Sequence, residues 1–287
     1  MEIARLVEGC DVIVFRSGVN VNADLMKKAP GLRVVIRAGS GTDNVDLDYL
    51  RTRGIKLVRI PKPGAFAVAE LTFATMLALS RNLLQADAGT RKGVWLKHKL
   101  ENYLLRGKTL GVVGAGNIGS QVGRMGAAWG MRVIGCVEHL TPTVVRNLGR
   151  SGIEAATLDE VAALSDYITI HVPLKPSTRN LIDRSFLSKT KPGAYLINMA
   201  RGGVVDEDVL YEWLVKPDGL RGAGLDVHVH EGQGKISKLA DLKNVILTPH
   251  MGATTVDTQR EIGKEIESVI EIESGLLEDV SINREAS

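Results

Sequence analysis

The chain reads as an α/β protein made of two doubly wound parallel-sheet domains. Three observations predict this. Short apolar runs alternate with helical patterns along almost the whole chain, and strand–helix–strand units with short loops imply right-handed crossovers and parallel strands. A glycine-rich turn, Gly111 to Gly119, stands between a strand pattern and a helix pattern. The length of 287 residues fits two domains at ~150 residues each.

The elements follow in order. Asp11–Phe15 reads as a buried strand, Asn22–Ala29 as a short helix stopped by Pro30-Gly31, and Arg33–Ile36 as a second strand. The turn Ala38-Gly39-Ser40-Gly41 comes next, then a helix from Val45 to Arg53 ending at Gly54, then a strand over Ile55–Ile60. Pro61-Lys62-Pro63-Gly64 breaks the pattern and reads as a linker. A long helix is expected from Val68 to about Leu84, followed by an aperiodic, polar and basic stretch over 85–107. A second series has strands at Thr109–Val113, Arg132–Val137, Tyr167–Val172, Ala194–Asn198, Gly222–Asp226 and Val245–Thr248, with helices between them. A last helix, Val256 to Ser274, is expected to return to the first domain. The domains are therefore 1–66 with 255–287, and 67–254, with a hinge near 61–67 and 253–256 that closes them over a ligand.

Composition excludes several classes. Apolar residues make up 44% and charged residues 24%, which is ordinary for a globular protein and not for a disordered chain. A net charge of +3, from 36 basic and 33 acidic residues, gives no case for nucleic acid or an anionic membrane. Cys10 and Cys136 are far apart and in no metal-type spacing, which fits a reducing compartment and a cytoplasmic location. The start is unlike a signal peptide, and no membrane-spanning stretch is expected.

The chemistry starts at Gly111-Val-Val-Gly114-Ala-Gly116-Asn-Ile-Gly119, a G-x-G-x-x-G that follows a strand and opens a helix. That context makes it a dinucleotide-binding turn of the Rossmann type. Gly114 permits the tight turn, Gly116 lets backbone approach a pyrophosphate, and Gly119 lets helix and sheet pack closely. Asn117 and Ile118 open the helix whose N–H groups would face the phosphates. A ribose-binding acid should end the next strand, but Val137 stands there and Glu138 follows it. A one-residue shift would let Glu138 hold the ribose. NAD is the expected cofactor, with NADP left open.

Several segments together resemble the D-isomer-specific 2-hydroxyacid dehydrogenase family. They are Val35 to Asp46, Ala67-Val68-Ala69-Glu70-Leu71, Gly114 to Gly119, and His171-Val172-Pro173-Leu174. They continue with Asn198-Met199-Ala200-Arg201-Gly202-Gly203-Val204-Val205-Asp206-Glu207, Gly224-Leu225-Asp226-Val227, and Leu247 to Ala253. These run in family order over nearly the whole chain. The resemblance implies a Rossmann-type NAD-binding domain and a smaller flavodoxin-like substrate domain. The usual βα unit and strand before the segment matching residues 2–15 are missing, which leaves Asp11–Phe15 as an apolar edge: either the true chain is longer, or an oligomer covers the edge, or the domain is a shortened variant. It also implies a homodimer through 68–107.

The resemblance further implies a catalytic Arg201, Glu231 and His250, all at carboxyl ends of expected strands. The chemistry needs these types. Reducing a 2-keto acid builds charge on the carbonyl oxygen, and a protonated imidazole can donate to it. A carboxylate beside the ring favours its charged form. A guanidinium offers a planar fork to the substrate carboxylate. By the same likeness Asp226 contacts the nicotinamide amide, His171, Val172 and Pro173 line the adenosine side, and Met199, Ala200 and Gly252 border the cofactor. His228-Val-His230-Glu231 has a metal-like look, but alternate strand positions face opposite ways, and the family pattern has an aromatic near 228. No metal is expected.

Within the family the chain is most similar to the phosphoglycerate dehydrogenases. Arg16-Ser17 matches their phosphate-binding pair, and Lys97 falls where they place another cation, although Lys97-His98-Lys99 also reads as a solvated charge run. Arg37, Gly39, Ser40 and Gly41 are expected to meet the substrate carboxylate. There are departures. Gly64 replaces a usual Asn, and Gly232 follows Glu231 where Pro is usual. The chain ends at Ser287, so a regulatory C-terminal domain is not expected. The leading expectation is interconversion of 3-phosphoglycerate and 3-phosphohydroxypyruvate, as in serine synthesis. A glyoxylate/hydroxypyruvate reductase, or a reductase of another anionic 2-keto acid, is the alternative. An NAD(H)-sensing protein like the corepressors that share this fold is the second alternative.

Overall fold

The structure is a computed structural model that describes residues 2–16 and 18–275. The chain divides into two compact units, Met1–Gly64 with Ala253–Ser287, and Ala65–Gly252. Its elements run α1 (Glu2–Leu6), β1 (Val12–Phe15), α2 (Ala23–Met26), β2 (Val34–Arg37), α3 (Leu47–Arg53), β3 (Lys56–Arg59), α4 (Lys62–Ser80), α5 (Leu83–Arg91), β4 (Thr109–Val113), α6 (Asn117–Ala128) and β5 (Arg132–Cys136). They continue as α7 (Pro142–Arg150), β6 (Glu154–Ala155), α8 (Leu158–Leu164), β7 (Tyr167–Ile170), α9 (Arg184–Leu187), β8 (Tyr195–Asn198), α10 (Glu207–Val215), β9 (Gly222–Leu225), β10 (Val245–Leu247) and α11 (Val256–Glu273).

The first unit holds a three-stranded parallel sheet in the order β1-β2-β3. The pleat sends successive side chains of β2 to opposite faces. Val35 packs into a cluster with Phe15, Met26 and Leu50, while Val34 and Ile36 pack with Ile60, Ile262 and Val269. β2 is thus buried on both faces, one of them covered by α11, which does return to this unit. β1 is an edge strand, and Val14 on it is 44% exposed. Local signals set the helix ends. The Asp46 carboxylate accepts from Tyr49 N–H at the start of α3, and Gly54 takes the left-handed conformation at its end.

The second unit holds a seven-stranded parallel sheet in the order β10-β9-β8-β7-β4-β5-β6. The first strand of this series, β4, lies between β7 and β5, so the strand order reverses there. Open α/β sheets bind ligands outside the carboxyl ends of the strands at such a reversal. β7, β8 and β9 are buried along their whole length. α4 lies on β9 because β9 carries glycines. A Cβ at Gly224 would meet the Thr75 methyl at 2.2 Å, and one at Gly222 the Leu79 side chain at 3.3 Å.

Several expectations are corrected. The expected linker is the first turn of α4, where Pro63 needs no hydrogen bond for its missing N–H. That helix stops at Ser80, because Asn82 takes a positive φ of 49°, and α5 then occupies part of the stretch expected to be aperiodic. β6 and α1 were not expected. β6 pairs only two residues with Ile134 and Gly135, and both are exposed, so no apolar pattern marks it. Among the described residues α4 is long and apolar enough to cross a membrane, with Glu70 and Thr72 interrupting the run. More than half of that stretch is buried within the structure, as in a core helix.

Candidate active site

The dinucleotide turn is built by backbone. Gly114 has φ 90°, and its N–H and that of Ala115 donate to Cys136 O at 3.0 and 3.3 Å. A Cβ on Gly114 would strike Val172 at 2.7 Å and the His171 carbonyl carbon at 2.9 Å. A Cβ on Gly119 would come within 2.4 Å of Gly114 O. Gly116, by contrast, faces open space and caps α6 without a side chain. The first turn of α6, opened by the exposed Asn117 and the half-buried Ile118, therefore keeps N–H groups free of side-chain caps beside an open cradle. That is what an anionic pyrophosphate needs, so these residues fit a dinucleotide.

The flanking segments are tied to the same turn. His171 N–H donates to Val113 O at 2.8 Å, and its Nε2 shares a hydrogen bond with Thr169 Oγ1 at 2.7 Å. Its Nδ1 is buried with no partner among the described residues, and burial pushes the ring's pKa down to about 3. Pro173 is exposed. Glu138, also exposed, is ion-paired with Lys175 at 3.2 Å. Met199 and Ala200 are buried, and their N–H groups are already bonded to Ile170 O and Asn198 Oδ1.

Arg201, Glu231 and His250 come from loops after β8, β9 and β10. Asn198, almost fully buried, accepts from Ala200 N–H and donates to Arg201 O, which shapes the arginine's turn. Arg201 Nη1 donates to Ala200 O at 2.7 Å. A Cβ on the next residue, Gly202, would overlap His228 O at 1.8 Å, so only glycine lets the two loops touch. His250 has φ 53°, unusual for a residue with a side chain. Its Nδ1 donates to Glu231 Oε2 at 2.8 Å, while His228 N–H donates to Glu231 Oε1 at 3.1 Å. Burial pushes the Glu231 carboxyl up, but the bonds from His250 and His228 outweigh it and hold the group below the ordinary carboxylate range.

Asp226 braces the histidine's segment. Its buried carboxylate accepts from Thr248 Oγ1 at 2.6 Å, Met251 N–H at 2.9 Å and Gly252 N–H at 2.8 Å. Asp226 and Gly252, both expected at the cofactor, are thus bonded to each other. Sequence reasoning missed Thr248 and His228. The His228 ring donates from Nε2 to Thr248 O at 2.9 Å, because a carbonyl only accepts. A cavity of about 680 Å³ is lined by His228, His230, Glu231, Lys235, Thr248 and His250. Gly232 has φ 118°, which is closed to proline, so the loop after Glu231 takes a path that a proline would forbid. No group of three metal-ligating side chains occurs among the described residues.

In the first unit, Arg37 is buried rather than presented. Its Nε donates to Gly41 O at 2.8 Å and its Nη1 to Ala38 O at 3.1 Å, with the guanidinium over the Phe15 ring. It clamps the Gly39–Gly41 loop from beneath. Gly39 N–H is bonded to Arg37 O, which leaves the exposed Ser40 and the half-buried Gly41 as the loop's open face. Arg16 is exposed and donates to the neutral amide of Gln259. A Cβ on Gly64 would lie 3.2 Å from that of Ala253, so an asparagine there would need room made for it. Lys97, in the second unit, is exposed. Ser17 lies outside the described residues.

The comparisons with known proteins decide the family. A family model described as "D-isomer specific 2-hydroxyacid dehydrogenase, NAD binding domain" matches residues 73–252. The chain belongs to this family. A D-3-phosphoglycerate dehydrogenase of Methanocaldococcus jannaschii is 40% identical over 91% of this chain and 49% of its own length. The chain thus spans about half the length of that relative. A hydroxypyruvate reductase of Thermotoga maritima is 38% identical over 96% of this chain and 88% of its own. The crystal structure of a D-lactate dehydrogenase from Aquifex aeolicus, complexed with NAD and lactic acid, has a TM-score of 0.84 at 31% identity. It covers 95% of this chain and 85% of that one. Among 2-hydroxyacid dehydrogenases, then, the chain carries the NAD-binding domain, and the glycine turn described above lies inside the matched residues.

Proposed function

We propose that this chain interconverts a D-2-hydroxy acid and its 2-keto acid, with 3-phosphoglycerate and 3-phosphohydroxypyruvate as the pair. The observation that carries the reading is the Glu231–His250 hydrogen bond. It occupies Nδ1 and so leaves Nε2 as the atom that exchanges a proton with the substrate oxygen. Glu231, held below the ordinary carboxylate range, orients the ring. Arg201 binds the substrate carboxylate and polarises the carbonyl. Asp226 holds the His250 segment at its strained φ through three accepted bonds. The turn from Gly114 to Gly119 would hold the dinucleotide's pyrophosphate, and the bound nicotinamide supplies or accepts the hydride.

Arg16 supports an anionic tail on the substrate, because its partner Gln259 is uncharged and leaves its positive charge standing. A hydroxypyruvate or glyoxylate reductase is the second reading, supported by the relative of nearly matching length and by the altered loop at Gly232. A homodimer through 68–107 and a cytoplasmic location belong to the same proposal. The test is NADH oxidation against phosphohydroxypyruvate, hydroxypyruvate, glyoxylate and pyruvate. The first should turn over fastest, and Arg16→Gln should raise its KM about tenfold while leaving that of hydroxypyruvate unchanged. Equal KM changes for both would favour the second reading, and no turnover with any would sink the first.

A further inference from the structure

Strand order places β4 between β7 and β5. The segments that follow those outer strands both rest on the Gly114 turn, one through Val172 and His171, the other through Cys136 O. The Lys175–Glu138 ion pair, at 3.2 Å, joins the two segments across that turn. Both side chains are about half exposed, at 49% and 53%, so a ligand entering the turn can reach them. The backbone of Lys175 is fixed from below. Its N–H donates to Thr178 Oγ1 at 2.8 Å, its carbonyl accepts from Arg179 N–H at 3.0 Å, and Thr178 Oγ1 donates to Pro173 O at 2.6 Å.

This arrangement has a consequence for nucleotide choice. An acid at the end of this strand accepts from the ribose hydroxyls and repels a 2′-phosphate, whereas a cation there does the opposite. Val137 removes the acid from the usual position, and Glu138, one residue on, is matched by a cation from the opposite side of the turn. The pair is neutral as a whole.

We propose that Lys175 is a specificity-determining residue that, through its pairing with Glu138, weakens the chain's preference for NADH and admits NADPH. Lys175 competes with the ribose for Glu138 and offers its charge to a 2′-phosphate. This rests on the cofactor assignment of the preceding sections.

The test is calorimetric titration of the full chain with NADH and with NADPH, without any keto acid. The wild type should bind NADH more tightly by less than about tenfold. Lys175→Met should widen the ratio of the two dissociation constants about fivefold, and Glu138→Gln should narrow it by a similar factor, the scale of an exposed charge contact. Lys175→Arg, which keeps the charge, should leave the ratio near that of the wild type and controls for folding. Raising salt from 0.05 to 0.5 M should shrink the difference between wild type and Lys175→Met. A ratio in Lys175→Met within twofold of the wild type overturns the proposal. Failure of the wild type to bind either nucleotide overturns the cofactor assignment instead.

Discussion

The two parallel sheets obey the same connection rules and end differently. In the seven-stranded sheet, β7, β8 and β9 are buried end to end, and the loops after β9 and β10 bond to one another through Asp226, His228 and Thr248. In the three-stranded sheet only β2 is wholly buried, β1 leaves Val14 open, and the loop after β2 is braced from below by one arginine. Under the proposed function the difference separates two tasks. A proton-transfer pair tolerates little misplacement, so its supports are redundant and buried. A surface that recognises a charged group works through longer-range attraction and needs less bracing.

The comparison can be broken where the effect is largest. His250→Ala should lower turnover about 10²–10⁴-fold, while the dissociation constant for NADH stays within about twofold. Loss of nucleotide binding as well would mean that the histidine's segment supports the glycine turn. Next comes Gly119→Ala, whose methyl would press on Gly114 O at 2.4 Å. It should cost about 3 kcal/mol, read as a lower midpoint in urea.

A third prediction concerns pH. The folded His171 titrates at about 3 against an ordinary 6.5, so below 6.5 the unfolded chain binds the extra proton and stability falls with pH. Between pH 6.5 and 5 this amounts to about 2 kcal/mol, and His171→Asn should flatten that slope. Glu231 acts lower on the scale. Its stabilisation is complete above the ordinary value of 4.5 and is lost as pH falls through its depressed folded value. The smallest effect belongs to the open edge. Val14→Lys should change stability by under about 0.5 kcal/mol, and a large loss there would show that β1 is covered.

Most of the alternation was legible because buried parallel strands such as Tyr167–Ile170 carry apolar residues on both faces. The unread parts have physical reasons. β6 is held by backbone pairing alone, so its exposed side chains carry no pattern. Pro63 looks like a breaker, yet a first helical turn accepts it. At the candidate site the ionisable residue types were visible, but their partners were not. Nothing in the spacing of Asp226 and Gly252 says that one accepts from the other, and nothing at Arg37 says that its charge turns inward to Ala38 and Gly41. Such pairings depend on which loops a fold brings together. Gly232 was legible as a departure, and its φ of 118° gives the departure a shape.

The first unit is interrupted. The face formed by Val34, Ile36 and Ile60 is closed by Ile262 and Val269, which lie beyond the whole of the second unit in the chain. On a ribosome moving at ~5–20 residues per second, that face waits roughly ten to forty seconds for its cover. The seven-stranded unit has all of its strands before then. The early strands meanwhile offer a bare apolar face and an unpaired edge to any neighbouring nascent chain. Yield of the intact protein should therefore depend more on translation speed and chaperone supply than its final packing suggests.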